Sequence, residues 1–355
     1  MRKDELKGRG AQINPHNKFQ RQEYVREHEE GIDLPDDTGE GQTTFTSVFP
    51  KTIINKVTSP DVGMDFSINP YQGCEHGCTY CYARNSHQFW GFSAGVDFEQ
   101  RILLKENAVS LLREKFDSKS WKPAAITLSG NTDCYQPIER KLCLTRSLIQ
   151  VFSEYRNPLG IITKNALIQR DIDLLSEMAS QNLVKVAISI TTLNEELRRK
   201  MEPRTATIKQ RFETVEKLAA AGIRVSVMMA PIIPGLNSHE ILPLVKEAAN
   251  RGAAGVGYTM VRLNGPIADV FEGWIRTTYP DRADKVLNQI ADAHGGQLND
   301  SRFKTRMRGE GNYAEMVKNT MKIAKEKYFP NPAKFEYDFS LFKRPSKSGQ
   351  LDLFQ

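Results

Sequence analysis

Three of the chain's five cysteines fall within eight residues of the segment NPYQGCEHGCTYCYAR, which sets Cys74, Cys78 and Cys81 in a CxxxCxxC spacing. Thiolates are the ligands of iron–sulfur clusters, and a cubane ordinarily takes four. A tight trio therefore holds three irons of a [4Fe–4S] cluster and leaves the fourth open to an outside ligand. Gly73 and Gly77 allow the loop to fold closely around such a group. The alternative is a zinc site made from the three cysteines with His76 or Cys134. Structural zinc usually draws on two separated ligand pairs, and the chain has no second pair. The odd cysteine count argues against a disulfide framework, and the opening MRKDELKGRG has no apolar segment of the secretory kind. The chain reads as cytoplasmic, with its thiols kept reduced.

The elements that must position the trio follow a βα rhythm. Residues 1–45 are polar and turn from basic to acidic, and read as a flexible N-terminal arm, either disordered or laid over the main domain. From 46 to 265, strands are expected near 67–72, 124–129, 159–163, 184–191, 223–229 and 255–261. Helices are expected between them, two of which end at Gly222 and Gly252. The fold class is α/β. Six units suit a partial (β/α)6 TIM-type barrel with function at the C-terminal strand ends, and a doubly wound sheet is the competing topology. Residues 266–330 read as a helical basic C-terminal extension, and 331–355 as an irregular tail. Cys143 lies in a helical apolar pattern and is expected in the core.

The trio, with the aromatic Tyr80 just before its last cysteine, resembles the radical S-adenosylmethionine (SAM) superfamily. The resemblance implies that SAM binds the open iron and is reductively cleaved to methionine and a 5′-deoxyadenosyl radical, with an electron from an external donor. It also implies a SAM site at the strand ends. Ser129, Gly130, Asn131, Thr132 and Asp133 stand where the superfamily receives the SAM amino group. Lys164, which ends the third strand, is placed to pair with the SAM carboxylate. Ser189 and Thr191 are placed for the ribose hydroxyls, Arg204 for a carboxylate or phosphate, and the apolar MMAPIIPG segment for adenine.

The blocks SGNTDCYQPIER, ITKN, MEPR, APIIPGLN and RMRGEGNY narrow the resemblance to the spore-photoproduct-lyase-like branch. Lyases of that branch are implied to carry a cysteine hydrogen donor just ahead of the 131–133 segment. Here that place holds Gly130, and Cys134 lies on the far side of Asp133, which argues against repair of the spore photoproduct itself.

The chain has 355 residues, 39% of them hydrophobic and 26% charged, as expected of a globular protein with a sizeable core. A net charge of +6 permits a nucleic-acid partner without requiring one. No apolar run reaches membrane-spanning length. Eight Lys or Arg between 302 and 327 face only Glu310, Glu315 and Glu326, which reads either as a solvated face or as a phosphate contact. The closing Gln350, Leu351, Asp352, Leu353 and Phe354 resemble the short peptide by which bacterial repair proteins bind the DNA sliding clamp. The expected function is radical SAM chemistry on damaged or modified DNA. The alternatives are a radical SAM enzyme acting on RNA, a peptide or a small molecule, and a non-catalytic iron–sulfur adaptor for DNA and clamp.

Overall fold

The computed structural model of the chain describes residues 6–20 and 42–345. The clamp-like peptide at 350–354 lies outside the described residues. The strands are β1 (Thr44–Val48), β2 (Ile54–Lys56), β3 (Phe66–Ile68), β4 (Tyr71–Gln72), β5 (Arg101–Lys105), β6 (Ile126–Leu128), β7 (Leu159–Thr163), β8 (Val184–Ser189), β9 (Arg224–Ile232) and β10 (Val256–Met260).

Seven of these form a sheet in the order β10-β9-β8-β7-β6-β3-β2. All neighbours from β3 to β10 are parallel, and β2 caps the edge antiparallel to β3. Parallel strands that follow one another in chain order, with no reversal, give a barrel segment. A doubly wound sheet would reverse its order at a switch point. The architecture is thus a partial (β/α)6 barrel. Alternate residues of β9, Val225, Val227 and Met229, are buried in the main core, while Ser226, Met228 and Ala230 are half-exposed on the other face.

Helices cover the buried face, and their ends are specified locally. Thr207 and Gln210 form a capping box at the start of helix Ile208–Ala220. Gly222 follows that helix at φ +75°, a conformation costly to a residue with a side chain. The helix expected over 142–155 is interrupted. Cys143 has φ +52° and joins helices Glu139–Leu142 and Leu144–Tyr155. It is half-buried rather than core, and its Sγ accepts a hydrogen bond from Arg170 at 3.4 Å.

A second sheet, β1-β5-β4, delivers the cysteine loop, because β4 ends at Gln72 and Gly73 follows. β1 begins ahead of the expected boundary at 45 because it pairs in parallel with β5. The described part of the polar N-terminal segment is a packed element rather than a loose arm. Gly10 N and Ala11 N donate to Glu99 at 3.0 and 2.8 Å, and Asn17 Nδ2 donates to Gln88 O at 2.9 Å. The far end of the barrel is covered by the described part of the tail. Tyr337 donates to Leu159 O at the start of β7, and Arg344 donates to Phe116 O at 3.0 Å.

Beyond β10, helices Ile267–Thr278 and Pro280–Asp292 share a buried cluster with Cys78 and Tyr80. Helix Gly311–Tyr328 places Val317, Met321 and Ala324 in the main core. The arginines at 302–308 sit in the non-helical stretch between. There they tie the two ends of the sheet together. Met260 N donates to Met307 O at 2.9 Å beside β10, while Lys304 N and the Arg306 guanidinium bind Asp61 in the β2–β3 loop.

A Cβ added to Gly10 would lie 1.8 Å from Gly77 O, inside the cysteine loop. Gly10→Ala is expected to cost about 1–3 kcal/mol through overpacking. Gly63→Ala, where nothing lies within 4 Å, should stay within about 0.5 kcal/mol of the parent. Urea denaturation of the iron-free protein reads both, and equal stability would show that the segment does not dock as described.

Candidate active site

The cysteine loop is shaped from both sides. Gly73 (φ +80°) and Gly77 (φ +66°) turn it, and a Cβ at Gly77 would come within 2.7 Å of Glu99 Oε2. Cys74 N donates to Phe98 O at 2.8 Å and Thr79 N to Met201 O at 3.1 Å. Arg84, wholly buried, donates to Cys78 O at 3.0 Å and pairs with buried Glu99. From the β6 side, Gln136 accepts from Glu75 N at 2.9 Å and donates to Gly73 O at 3.2 Å.

Cys74 and Cys78 are buried and Cys81 is half-exposed. Burial pushes the Cys74 and Cys78 thiols above their usual range; Asp133, Cys81 and Cys78 raise Cys74 further, and Glu202 and Cys81 raise Cys78. Lys164 opposes this at Cys78. Its Nζ stands 5.8 Å from the Tyr80 ring centroid. Burial works against the Lys164 charge, but Cys78, Glu202 and Cys81 outweigh it and hold the ammonium above its ordinary value.

Beneath the loop lies a buried carboxylate, Glu202. It accepts from Tyr80 OH, from Thr191 Oγ1 at 2.8 Å and from Arg211 at 2.6 Å. Arg211 also donates to Ser189 O at 2.9 Å, so the end of β8, helix Ile208–Ala220 and the cysteine loop meet at one ion pair. Burial raises the Glu202 carboxyl, but Arg211 first and Lys164 next bring it down to about 2.

The 129–133 segment is held from within. Ser129 (φ +69°) accepts from Cys134 N at 2.7 Å, and Thr132 donates to Tyr71 O at 2.5 Å. Asn131 binds Ser86 Oγ at 2.8 Å, and its N–H reaches Asn69. A Cβ at Gly130 would stand 2.7 Å from Ser67 Cβ, so close approach to β3 explains the glycine. Asp133 accepts from Thr163 Oγ1 and Lys164 N, both at 2.8 Å, and faces His76 Nδ1 at 3.3 Å. Burial raises its carboxyl, and His76 and the backbone donors lower it to about 2. Cys134 is wholly buried in the main core.

The structure therefore brings Tyr80, Lys164, Ser189 and the 129–133 segment around the trio. Thr191 is buried with its hydroxyl given to Glu202. Arg204 is exposed and stands 3.6 Å from Glu75 in the cysteine loop. In the MMAPIIPG segment, Met229, Ile232 and Ile233 are core residues. Sequence reasoning passed over Glu202, Arg211 and Glu99. A buried Glu cannot be told from a surface one by type alone, although Glu202 directly precedes the proline of the MEPR block that had drawn notice.

A family model described as "Radical SAM superfamily" matches residues 68–248, which span the trio and five of the six parallel strands. The chain belongs to the radical SAM superfamily. Uncharacterised proteins of Mycobacterium tuberculosis and Mycobacterium bovis are 33% identical to this radical SAM protein over 67% of it and 71% of their own length. One from Methanocaldococcus jannaschii is 28% identical over 68% of the chain and 86% of its own length. Among solved structures, a spore photoproduct lyase variant superposes with a TM-score of 0.59 at 17% identity, over 81% of this chain and 80% of that one. The likeness establishes a shared fold.

A radical SAM enzyme calls for a [4Fe–4S] cluster and SAM, and the donor set fits. Three free thiols share one loop close enough to influence one another, with a cation beside them. Among the described residues no His, Cys, Asp or Glu group is drawn to a single point as one metal ion requires, whereas a cubane offers each thiolate its own iron.

Glu202 and Asp133 bind protons more weakly folded than unfolded. Their contribution to stability is full above the ordinary carboxylate range and falls away as pH drops toward about 2. Glu202→Gln strands Arg211 and should cost about 3–5 kcal/mol at neutral pH. It should also flatten the loss of stability below about pH 4.5, followed by urea denaturation of the iron-free protein. An unchanged acid limb would remove Glu202 from this account.

Proposed function

We propose that this radical SAM enzyme holds its [4Fe–4S] cluster on Cys74, Cys78 and Cys81, binds SAM at the adjoining strand ends, and acts on nucleic acid, specifically damaged or modified DNA. The observation that carries the reading is the placement of the trio on one clamped loop beside Lys164, at the C-terminal ends of six parallel strands. When bound, the pair supplies reductive cleavage of SAM to methionine and a deoxyadenosyl radical that takes a hydrogen atom from the substrate, with the electron from an external donor.

The chain's own residues bind and orient. Lys164, held protonated by its neighbours, pairs with the SAM carboxylate. Ser129, Gly130 and Asn131 border the amino group, with Thr132 and Asp133 bracing that segment from behind. Ser189, at the end of β8, would serve the ribose hydroxyls, and Thr191 serves by fixing Glu202. Arg204 steadies the cysteine loop through Glu75. DNA is favoured by the cationic strand ends and by the shared fold of spore photoproduct lyase, a protein solved with a dinucleoside spore photoproduct. With Gly130 packed against Ser67, no donor thiol stands at that position, so the lesion differs from that of the lyase.

Anaerobic reconstitution should give a brown protein with about four irons per chain. Each Cys→Ala change within the trio should abolish iron binding and deoxyadenosine formation with dithionite and SAM, whereas Cys143→Ala should not. Lys164→Ala should weaken SAM binding at least about tenfold while keeping iron. A colourless protein, or full SAM affinity without Lys164, would end the reading.

The peptide Gln350–Phe354 extends this reading to a sliding clamp, which would raise the enzyme's local concentration on duplex DNA. Calorimetric titration of a clamp should show binding by the full chain and none by a chain ending at Ser348. No heat with the full chain at tens of micromolar, a range of about 6 kcal/mol in affinity, removes the clamp from the proposal.

A further inference from the structure

Arg262 lies two residues beyond the end of β10 and so stands at the same ends of the parallel strands as Ser129, Lys164 and Ser189. Its loop is anchored on both sides. Leu263 N donates to Leu298 O at 2.9 Å, and Asn264 O accepts from Asn85 in the helical turn that follows Cys81. Tyr82, next to Cys81, has both Lys164 and Arg262 among the charges that act on it. Its phenol donates to Gly130 O at 2.7 Å, which turns the ring across the entrance.

The guanidiniums around this entrance are otherwise engaged. Arg211 binds Glu202, Arg306 binds Asp61, Arg302 binds Asp300 and Glu310, and Arg308 donates to Tyr258 O at 3.1 Å. Arg262 is half-buried, yet among the described residues it makes no hydrogen bond or ion pair. Burial and the neighbouring Arg306 both work against its charge, and Tyr82, Asp61 and Asp300 offset them only in part. A fixed, partly desolvated guanidinium with five unmatched donors is costly unless an anion completes it.

We propose that Arg262 is an anion subsite of the substrate pocket, receiving a backbone phosphate of the nucleic acid beside the nucleotide presented at the cluster loop. The inference rests on the nucleic-acid reading above and adds the contact that sets the strand's register. A guanidinium fork matches two phosphate oxygens, and Arg306 alongside adds field without competing for the same contact, because its own donors are held by Asp61 and Ser59. Exposed Tyr82 offers a ring on which a base can stack in the field of both cations.

The test uses the full chain with its cluster reconstituted and a fluorescein-labelled single-stranded DNA decamer, followed by anisotropy across a salt series. Arg262→Gln is expected to weaken binding about tenfold or more and to lower the salt slope by about one. Arg262→Lys should restore part of the affinity, since it keeps the charge and loses the fork. Iron content and urea stability equal to the parent's show that either variant is folded. A Gln variant with the parent's affinity and slope overturns the subsite and leaves the nucleic-acid reading standing. A parent chain that ignores the decamer but binds an oligoglutamate peptide through Arg262 overturns both.

Discussion

Three sulfurs proposed to hold a cluster would have to carry negative charge in a place that resists it. Desolvation favours the neutral thiol, and two of the three cysteines are buried. The surroundings read as a response to this. Lys164 brings compensating charge from the end of β7, and Cys78, with Glu202 next, holds its ammonium protonated. Because like charges and burial both act against the trio, the loop cannot be left to find its own shape. It is fixed by Arg84 and Glu99, by Gln136 and by two glycines in the left-handed region.

That demand binds distant parts of the chain into one unit. Gly10 and Ala11 lie over the loop through Glu99, and helices beyond the barrel share a core cluster with Cys78 and Tyr80. Buried ion pairs are poor sources of net stability, since dehydrating two charges consumes most of their attraction. Their worth at Arg84–Glu99 and Arg211–Glu202 is directional. Each guanidinium also donates to backbone carbonyls, so the pair fixes where a loop passes as well as neutralising charge.

Five of the six parallel strands were legible in the sequence because each is a short apolar run bounded by helix-ending glycine or polar turns, and the trio was legible because its spacing is local. The strand expected at 67–72 is instead two, β3 in the barrel sheet and β4 in the second sheet, because the chain leaves one sheet for the other at Asn69 and Pro70. What sequence could not supply is the meeting of residues far apart. Glu99 and Gly10, or Arg306 and Asp61, have no pattern that pairs them. The short strands β1, β2 and β5 were missed because their identity comes from partners rather than period. Cys143 was misplaced because a helix-compatible apolar pattern continues across a joint that one left-handed residue creates. The basic 302–308 stretch, read as surface charge, is largely paired within the fold.

That stretch also decides how the barrel's side wall is made. Elsewhere the wall is a continuous ladder of backbone bonds, and parting two strands would mean unfolding the sheet. Between β10 and the β2–β3 loop the link is the Asp61 carboxylate, which accepts from Lys304 N and the Arg306 guanidinium, together with one backbone contact at β10. Such a seam can part while every strand stays in register, because the broken contacts are few and water can replace them.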